Sequence, residues 1–346
     1  MNFASDNTSG AHPKVMEAIL AANDGHAPSY GADDWTARAQ DRIREVFEAP
    51  GAEVWLVASG TATNALALAA VSKPWGKIFC HKGAHVETSE CNAVPFYSGG
   101  ADLVPVPGYH GRIAPGALGA ALEAFGRPDV HAGVRSALTI TNSTEAGTVY
   151  TPEAVARLAS MAHEAGMAVH MDGARLANAL AALKCSPAEL THRVGVDILS
   201  LGGTKNGGLA VEAVVVFDPD RADDLGMRRM RGGQLWSKHR FLAAQWLALL
   251  EDGLWLDLAA HANAMAARLG QRLTEHRGVT LDHPVEANQV FAAVPRARLI
   301  AARKAGLVCH DWPRTQPEDT DPHHIRLVCG WATTEAEVDS AVRALG

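Results

Sequence analysis

TPEAVARLASMAHEAGMAVHMD, residues 151–172, spells a helix and the strand that follows it. Thr151 stands as N-cap, Pro152 at the first helical position and Glu153 in the first turn, where the helix dipole favours an acid; Gly166 closes the helix. AVHMD (168–172) then reads as a buried strand, as does SALTIT (136–141) upstream. The same grammar recurs along the chain. EVWLVA (53–58) is a strand followed by SGTATNALALAAV, a helix opened by small hydroxyl residues, and VDIL (196–199) and AVVVF (213–217) supply two further strands. Strands alternating with helices of this length predict an α/β fold with a mostly parallel sheet covered by helices.

After about residue 240 the pattern changes to two long helical stretches, FLAAQWLALLEDGLWL and LAAHANAMAARLGQRL, followed by short strands at VFAAV and IRLVCG. We therefore expect a large domain over residues 1–245 and a smaller α+β domain over 246–346, with roughly the first 20 residues joining the small one. At 346 residues, 47% hydrophobic and 20% charged, the chain has the composition of a globular enzyme and not of a disordered or fibrous protein. A net charge of -7 gives no footprint for nucleic acid, although RRMRGG (228–233) is a local basic cluster suited to a small anion or a solvated face. No membrane helix is expected, and the start MNFASDNTSG has no signal-peptide pattern, so a cytoplasmic location is expected. The five cysteines form no CxxC pair and read as reduced and structural.

In a parallel sheet, ligands sit outside the carboxyl ends of strands, which places Ser59–Thr61, Asp172 and Lys205 on one rim. SGT at a strand-to-helix turn offers free N–H groups and a helix N-terminus, suited to a phosphate. Asp172 ends an apolar strand, where a carboxylate is an N-cap, a metal ligand or the acceptor for a protonated ring nitrogen. Lys205 stands alone among the glycines of SLGGTKNGGL (200–209); desolvation favours its neutral, nucleophilic form. An amine, an acid and an anion cradle are what pyridoxal phosphate requires of a protein. The HxD spacing of His170 and Asp172 is the rival, a metallohydrolase pattern that leaves Lys205 unexplained. His81 and His85 have zinc spacing on a helix, but Gly83 between them spoils that helix, and no metal site is expected. His323 and His324 read as solvated, and Trp236, Trp246 and Trp255 as core or interface packing.

FASDNTSGAHPKVMEAI, YGADDWT, SGTATNALAL, AHVETSE, VHMDGARLANA and GGTKNG, in that order, closely resemble the low-specificity L-threonine aldolases, a pyridoxal-phosphate family of the aspartate-aminotransferase fold type. The resemblance spans nearly the whole chain. It implies fold type I and retro-aldol cleavage of L-3-hydroxy-α-amino acids, such as L-threonine or L-allo-threonine, to glycine and an aldehyde. L-phenylserine cleavage and a β-eliminating lyase are the alternatives.

By resemblance, Lys205 would hold the cofactor, Asp172 would pair with its pyridine nitrogen, and Arg175 would lie near the ring hydroxyl and the substrate. Gly60 and Thr61 would hold the phosphate, with Lys238 of QLWSKHRF. His85 would stack on the ring, with Glu90 close by and His131 of RPDVH lining the substrate side; His85, His131 or a water held by Glu90 would act as base. Ser5 and Arg326 would bind the substrate carboxylate, the latter through a fork of guanidinium donors, although a surface arginine would read the same. Tyr30 would reach a site in a neighbouring subunit of a homo-oligomer, a dimer or tetramer with active sites at the interface. Two departures stand out: TNSTE (141–145) replaces the Glu-Asn-Thr-His-Asn of many members, and Ser89 stands where some relatives carry an acid.

Overall fold

The computed structural model of the chain describes residues 1–126 and 129–346. Its strands are β1 (Glu53–Val57), β2 (Gly76–His81), β3 (Asp102–Val106), the hairpin β4 (Gly108–Tyr109) and β5 (Arg112–Ile113), β6 (Val134–Thr141), β7 (Ala168–Gly173), β8 (Ile198–Gly202) and β9 (Glu212–Val216). Seven of them form one sheet in the order β1-β9-β8-β7-β6-β2-β3. Only β9 runs against the others, pairing antiparallel with both β1 and β8. It therefore begins at the rim where its neighbours end.

β7 is buried along its whole length, as a central strand covered on both faces must be. The preceding helix, Pro152–Glu164, starts where Thr151 accepts the Ala154 N–H and stops before Gly166, whose φ of 75° suits a residue without Cβ. Within β7, His170 pairs through Nδ1 with Thr139 of β6 at 2.8 Å and through Nε2 with Ser200 of β8 at 2.9 Å. Burial drives its pKa down to about 4. This histidine is a neutral rung between three strands, with both ring nitrogens engaged by hydroxyls.

A second sheet, β10 (Thr280–Leu281), β11 (Gln289–Val294), β12 (His310–Asp311) and β13 (His323–Val328), is antiparallel in the order β10-β11-β13-β12. It carries its own core of Val290, Ala292, Ile325 and Leu327, into which the N-terminal Phe3 packs. The chain's start is thereby anchored here, Phe3 N–H donating to Val308 O, before Asp6–Thr8 turns toward the large sheet.

Two expectations change. FLAAQWLALLEDGLWL is not one helix: Arg240–Leu250 ends, Asp252 and Gly253 take φ of 50° and 74°, and a 21-residue helix, Leu254–Thr274, absorbs the rest. His323 is buried at the start of β13 against Asp311, and His324 pairs with Asp282, so neither is the freely solvated residue that its polar surroundings suggested. Trp246 and Trp255 are core residues, whereas Trp236 is exposed. All five cysteines are free, with Cys80 and Cys329 buried. Among the described residues no helix is long and apolar enough to cross a membrane.

Candidate active site

The carboxyl ends of the parallel strands, the N-terminal segment and the β8–β9 turn enclose a cavity of about 450 Å³. β1 delivers the SGT turn. Ser59 caps the helix Gly60–Ala70 by accepting the Ala62 N–H, and the first-turn N–H groups of Gly60 and Thr61 are left without a helical acceptor beside the cavity. A Cβ placed on Gly60 would meet nothing within 4 Å. The space above this turn is open to a ligand.

β7 delivers Asp172. Its Oδ1 accepts the Ala174 N–H at 3.0 Å and its Oδ2 accepts Asn64 Nδ2 at 2.9 Å. Burial works to raise this carboxyl, but the charge of Lys205 and these hydrogen bonds outweigh it and hold the pKa below the usual carboxylate range. Lys205 sits on the turn Thr204–Asn206 between β8 and β9. Burial and then the guanidinium of Arg175 depress its pKa, against the pull of Asp6, Asp172 and Glu212, so the neutral amine is favoured relative to a solvated lysine. The turn is laced into place: Glu212 Oε2 accepts the Gly203 N–H at 3.1 Å, Val211 N–H donates to Thr204 Oγ1 at 3.0 Å, and Asn206 Nδ2 donates to Trp255 O at 2.6 Å.

The segment after β2 delivers His85 and Glu90. His85 Nδ1 lies 2.7 Å from Glu90 Oε1, and the same oxygen accepts Asn64 Nδ2 at 2.8 Å. Asn64 thus bridges the two carboxylates, Glu90 on one side and Asp172 on the other. Glu90 is buried and the His85 side chain is 43% exposed, so the imidazole stands at the cavity with its inner nitrogen anchored.

Arg175, the residue preceding the helix Leu176–Leu183, lines the cavity, but its fork is occupied. Nε and Nη2 donate to Asp6 at 2.7 and 3.0 Å, and Asp6 also accepts Asn288 Nδ2 at 3.1 Å. Asp6 is buried and Arg175 half-buried, and the Asp6 carboxyl stays below its usual range because Arg175 and Lys205 outweigh the upward push of burial. Ser5 and Arg326 do not line the cavity in this chain: Ser5 Oγ accepts the Asn7 N–H, and Arg326 donates to Ala4 O at 3.1 Å with its guanidinium 4.8 Å from the Trp312 ring centroid. Burial and then the charge of Arg175 bring Arg326 down to about 10. Its contacts are with the N-terminal segment and Trp312.

Three further residues lie away from this cavity. His131 is exposed on the turn Asp129–Gly133, where its N–H donates to Asp129. Tyr30 and Lys238 are exposed side by side, Tyr30 N–H donating to Ser237 O. The basic cluster at 228–233 also differs from expectation, since Arg229 is buried with its guanidinium 5.0 Å from the Trp55 ring centroid and donates to Leu56 O. Its role is packing under β1.

Sequence reasoning missed Asn64, Asp6, Glu145 and Glu212, all buried or half-buried at or beside the cavity. Asn64 had a signal, a lone amide in the apolar helix ALALAA, as did Glu212, a lone acid opening an apolar strand. Glu145 lies in the TNSTE stretch, noted only for its lack of an imidazole.

The fit to pyridoxal phosphate can be tested on polar atoms that lack partners. Asn64 Oδ1, Glu90 Oε2, Ser143 Oγ and Glu145 Oε2 are buried on residues lining this cavity without a hydrogen bond among the described residues. Such atoms are rare in native proteins, and their gathering at one cavity points to a polar ligand. With an amine held toward neutrality, an ionised acid and a helix N-terminus around it, the donor set fits that cofactor.

The beta-eliminating lyase family matches residues 2–297. A low specificity L-threonine aldolase of a Pseudomonas species is 42% identical over 97% of this chain and 94% of its own length, and one of Pseudomonas aeruginosa is 44% identical over 88% and 87%. Among solved structures, a threonine aldolase of Leishmania major superposes with a TM-score of 0.91 at 28% identity, covering 99% of this chain and 98% of that one. A tryptophan decarboxylase of Catharanthus roseus, at 17% identity and a TM-score of 0.75 over 99% of this chain and 82% of its own, shares the fold. The chain has the α/β architecture of the fold type I pyridoxal-phosphate enzymes, and it belongs to the beta-eliminating lyase family and, within it, to the low specificity L-threonine aldolases.

Proposed function

We propose that the protein cleaves L-3-hydroxy-α-amino acids, L-threonine and L-allo-threonine among them, to glycine and an aldehyde, with pyridoxal phosphate as cofactor. The observation that carries this reading is that Lys205, Asp172 and the N–H groups of Gly60 and Thr61 border one cavity with the His85–Glu90 pair on its wall. Bound there, the cofactor supplies an electron-withdrawing ring to the Cα–Cβ bond that breaks.

Each role follows from the surroundings of the side chain. Lys205 is the amine that captures the cofactor aldehyde, its neutral form favoured by burial. Asp172, ionised and fixed by Asn64 and Ala174, keeps the ring nitrogen protonated. Gly60 and Thr61 hold the phosphate at the helix N-terminus. Glu90 accepts at the Nδ1 side of His85, which leaves Nε2 as the acceptor that takes the proton from the substrate β-hydroxyl. Arg175 contributes positive charge near the substrate carboxylate, while Asp6 fixes its direction. Tyr30 and Lys238, together on an exposed edge, reach a neighbouring subunit's site in a homo-oligomer. Light scattering is expected to show at least a dimer, and a monomer alone would remove that role.

The test is purified protein with pyridoxal phosphate and L-threonine, with acetaldehyde coupled to NADH oxidation by alcohol dehydrogenase, and glycine and 2-oxobutyrate assayed in parallel. Acetaldehyde with equimolar glycine is expected, and L-phenylserine is the next substrate to try. 2-Oxobutyrate instead would move the enzyme to β-elimination. Lys205→Ala is expected to abolish both turnover and the visible, borohydride-sensitive absorbance; a surviving band of that kind would displace Lys205 as the attachment point.

A further inference from the structure

His85 is held by a carboxylate at each end. Glu90, five residues on, holds the ring at Nδ1. At the other end the main-chain N–H of His85 donates at 2.7 Å to Oε1 of Glu145, a residue 60 positions away on the loop after β6. The same Oε1 accepts the Thr141 hydroxyl at 2.8 Å.

We propose that Glu145 is a positioning residue for His85, fixing the start of the segment that carries the imidazole by capping it from the end of the adjacent strand β6. The inference rests on the reading of His85 as the base. His85 opens a helix of four residues, His85–Thr88, and its N-cap, Ala84, has no side chain able to accept a first-turn N–H. Glu145 supplies from the neighbouring strand end the acceptor that Ala84 lacks. Since the His85 side chain is 43% exposed, little packing holds it, and the two hydrogen bonds decide where the ring stands.

The support behind Glu145 is itself fixed. Thr144 N–H donates to Thr148 O at 2.8 Å, and the Thr148 hydroxyl donates to His110 O at 2.6 Å. Gly147, at a φ of 73°, packs so closely on Gln289 that a Cβ would lie 3.0 Å from its backbone oxygen. The ionisable groups around Glu145 are Asp172, Arg175, Cys80 and Tyr150, and Arg175 is engaged by Asp6. Burial, and then the negative charge of Asp172, push the Glu145 carboxyl upward, against the hydrogen bonds from His85 and Thr141. A group drawn toward neutrality in this way can be copied by an amide, whose oxygen accepts the same N–H.

The experiment uses the full-length holoenzyme and L-threonine. Glu145→Ala is expected to lower kcat about tenfold, the order expected for one lost hydrogen bond to a buried group, and Glu145→Gln to recover most of that loss. In a His85→Ala background, Glu145→Ala is expected to add nothing; a further loss of the same size would overturn the proposal. The second readout is the imidazole NMR signal of His85 in the cofactor-free protein, identified by its absence from His85→Ala. It is expected to move in Glu145→Ala and to return toward the wild-type position in Glu145→Gln, and an unmoved signal would also overturn the proposal. Should Glu145→Ala fail to fold, Thr141→Val, which removes the hydroxyl steering Oε1, is expected to shift the same signal to a smaller degree, and no shift counts against the inference. If His85→Ala itself turns over normally, the assignment of the base fails, while the imidazole signal still decides the positioning role.

Discussion

The ends of β7 and β6 lie side by side on the rim, Thr141 paired with Asp172 in register, yet they treat a carboxylic acid in opposite ways. At the end of β7, Asp172 is held below its usual range although burial opposes this, because Lys205 faces it and Asn64 and Ala174 donate to it. Asp6, on the same side through Arg175, behaves likewise. After β6, Glu145 is pushed toward the neutral form, and on β9 Glu212 is pushed up to about 7, chiefly by burial. Burial is common to all four. What separates them is whether a cation and several donors outweigh it.

The widest break in this contrast comes from Asp172→Ala, which removes the acid proposed to keep the cofactor ring protonated. Its kcat on L-threonine is expected to fall roughly a thousandfold with the fold retained. A near-normal rate in cofactor-loaded protein with an unchanged circular dichroism spectrum would deprive Asp172 of its role. Next comes Asp6→Ala, which leaves the half-buried Arg175 without its buried partner; denaturant unfolding is expected to show a loss of about 3 kcal/mol. A loss well under 1 kcal/mol would mean that the ion pair is dispensable for stability.

The smallest effect concerns Glu212 and carries a sign. Its folded pKa of about 7 lies above the ordinary 4.5, so between those values the folded state binds more protons than the unfolded one. Glu212 therefore costs increasing stability as pH rises through this window, and the full cost is present above about 7. In cofactor-free protein, Glu212→Gln is expected to flatten the fall of Tm from pH 5 to 8 by a few degrees. An identical slope in the two proteins would place Glu212 with the ionised pair instead.

Much of this site was legible in the chain. Lys205 on its glycine turn, Asp172 ending β7 and the SGT cap are local features: each stands at a strand end, and the strand ends of a parallel sheet share one rim. Asn64 stood out as a lone amide in an apolar helix, but its partners, like those of Asp6 and Glu145, were not legible, since they lie 26 and 108, 169, and 60 residues away. The placements of Arg326 and Ser5 depended on how the N-terminal segment lies between the two sheets, which no local pattern encodes. The break at Asp252 was missed because an aspartate at positive φ leaves the hydrophobic period on either side intact.

The sequence by itself determined the strand-helix alternation, the family, and that Lys205, Asp172 and the SGT turn stand at strand ends, because these depend on residue type and on short-range order. Tertiary structure alone decided which carboxyls are held below their usual range and which are pushed above it, that Arg175 is clamped by Asp6, and that His85 is held from two sides. The physical reason is that protonation and orientation are set by the sum of burial, charge and hydrogen bonding at one point in space, and those contributions arrive there from segments far apart in the chain.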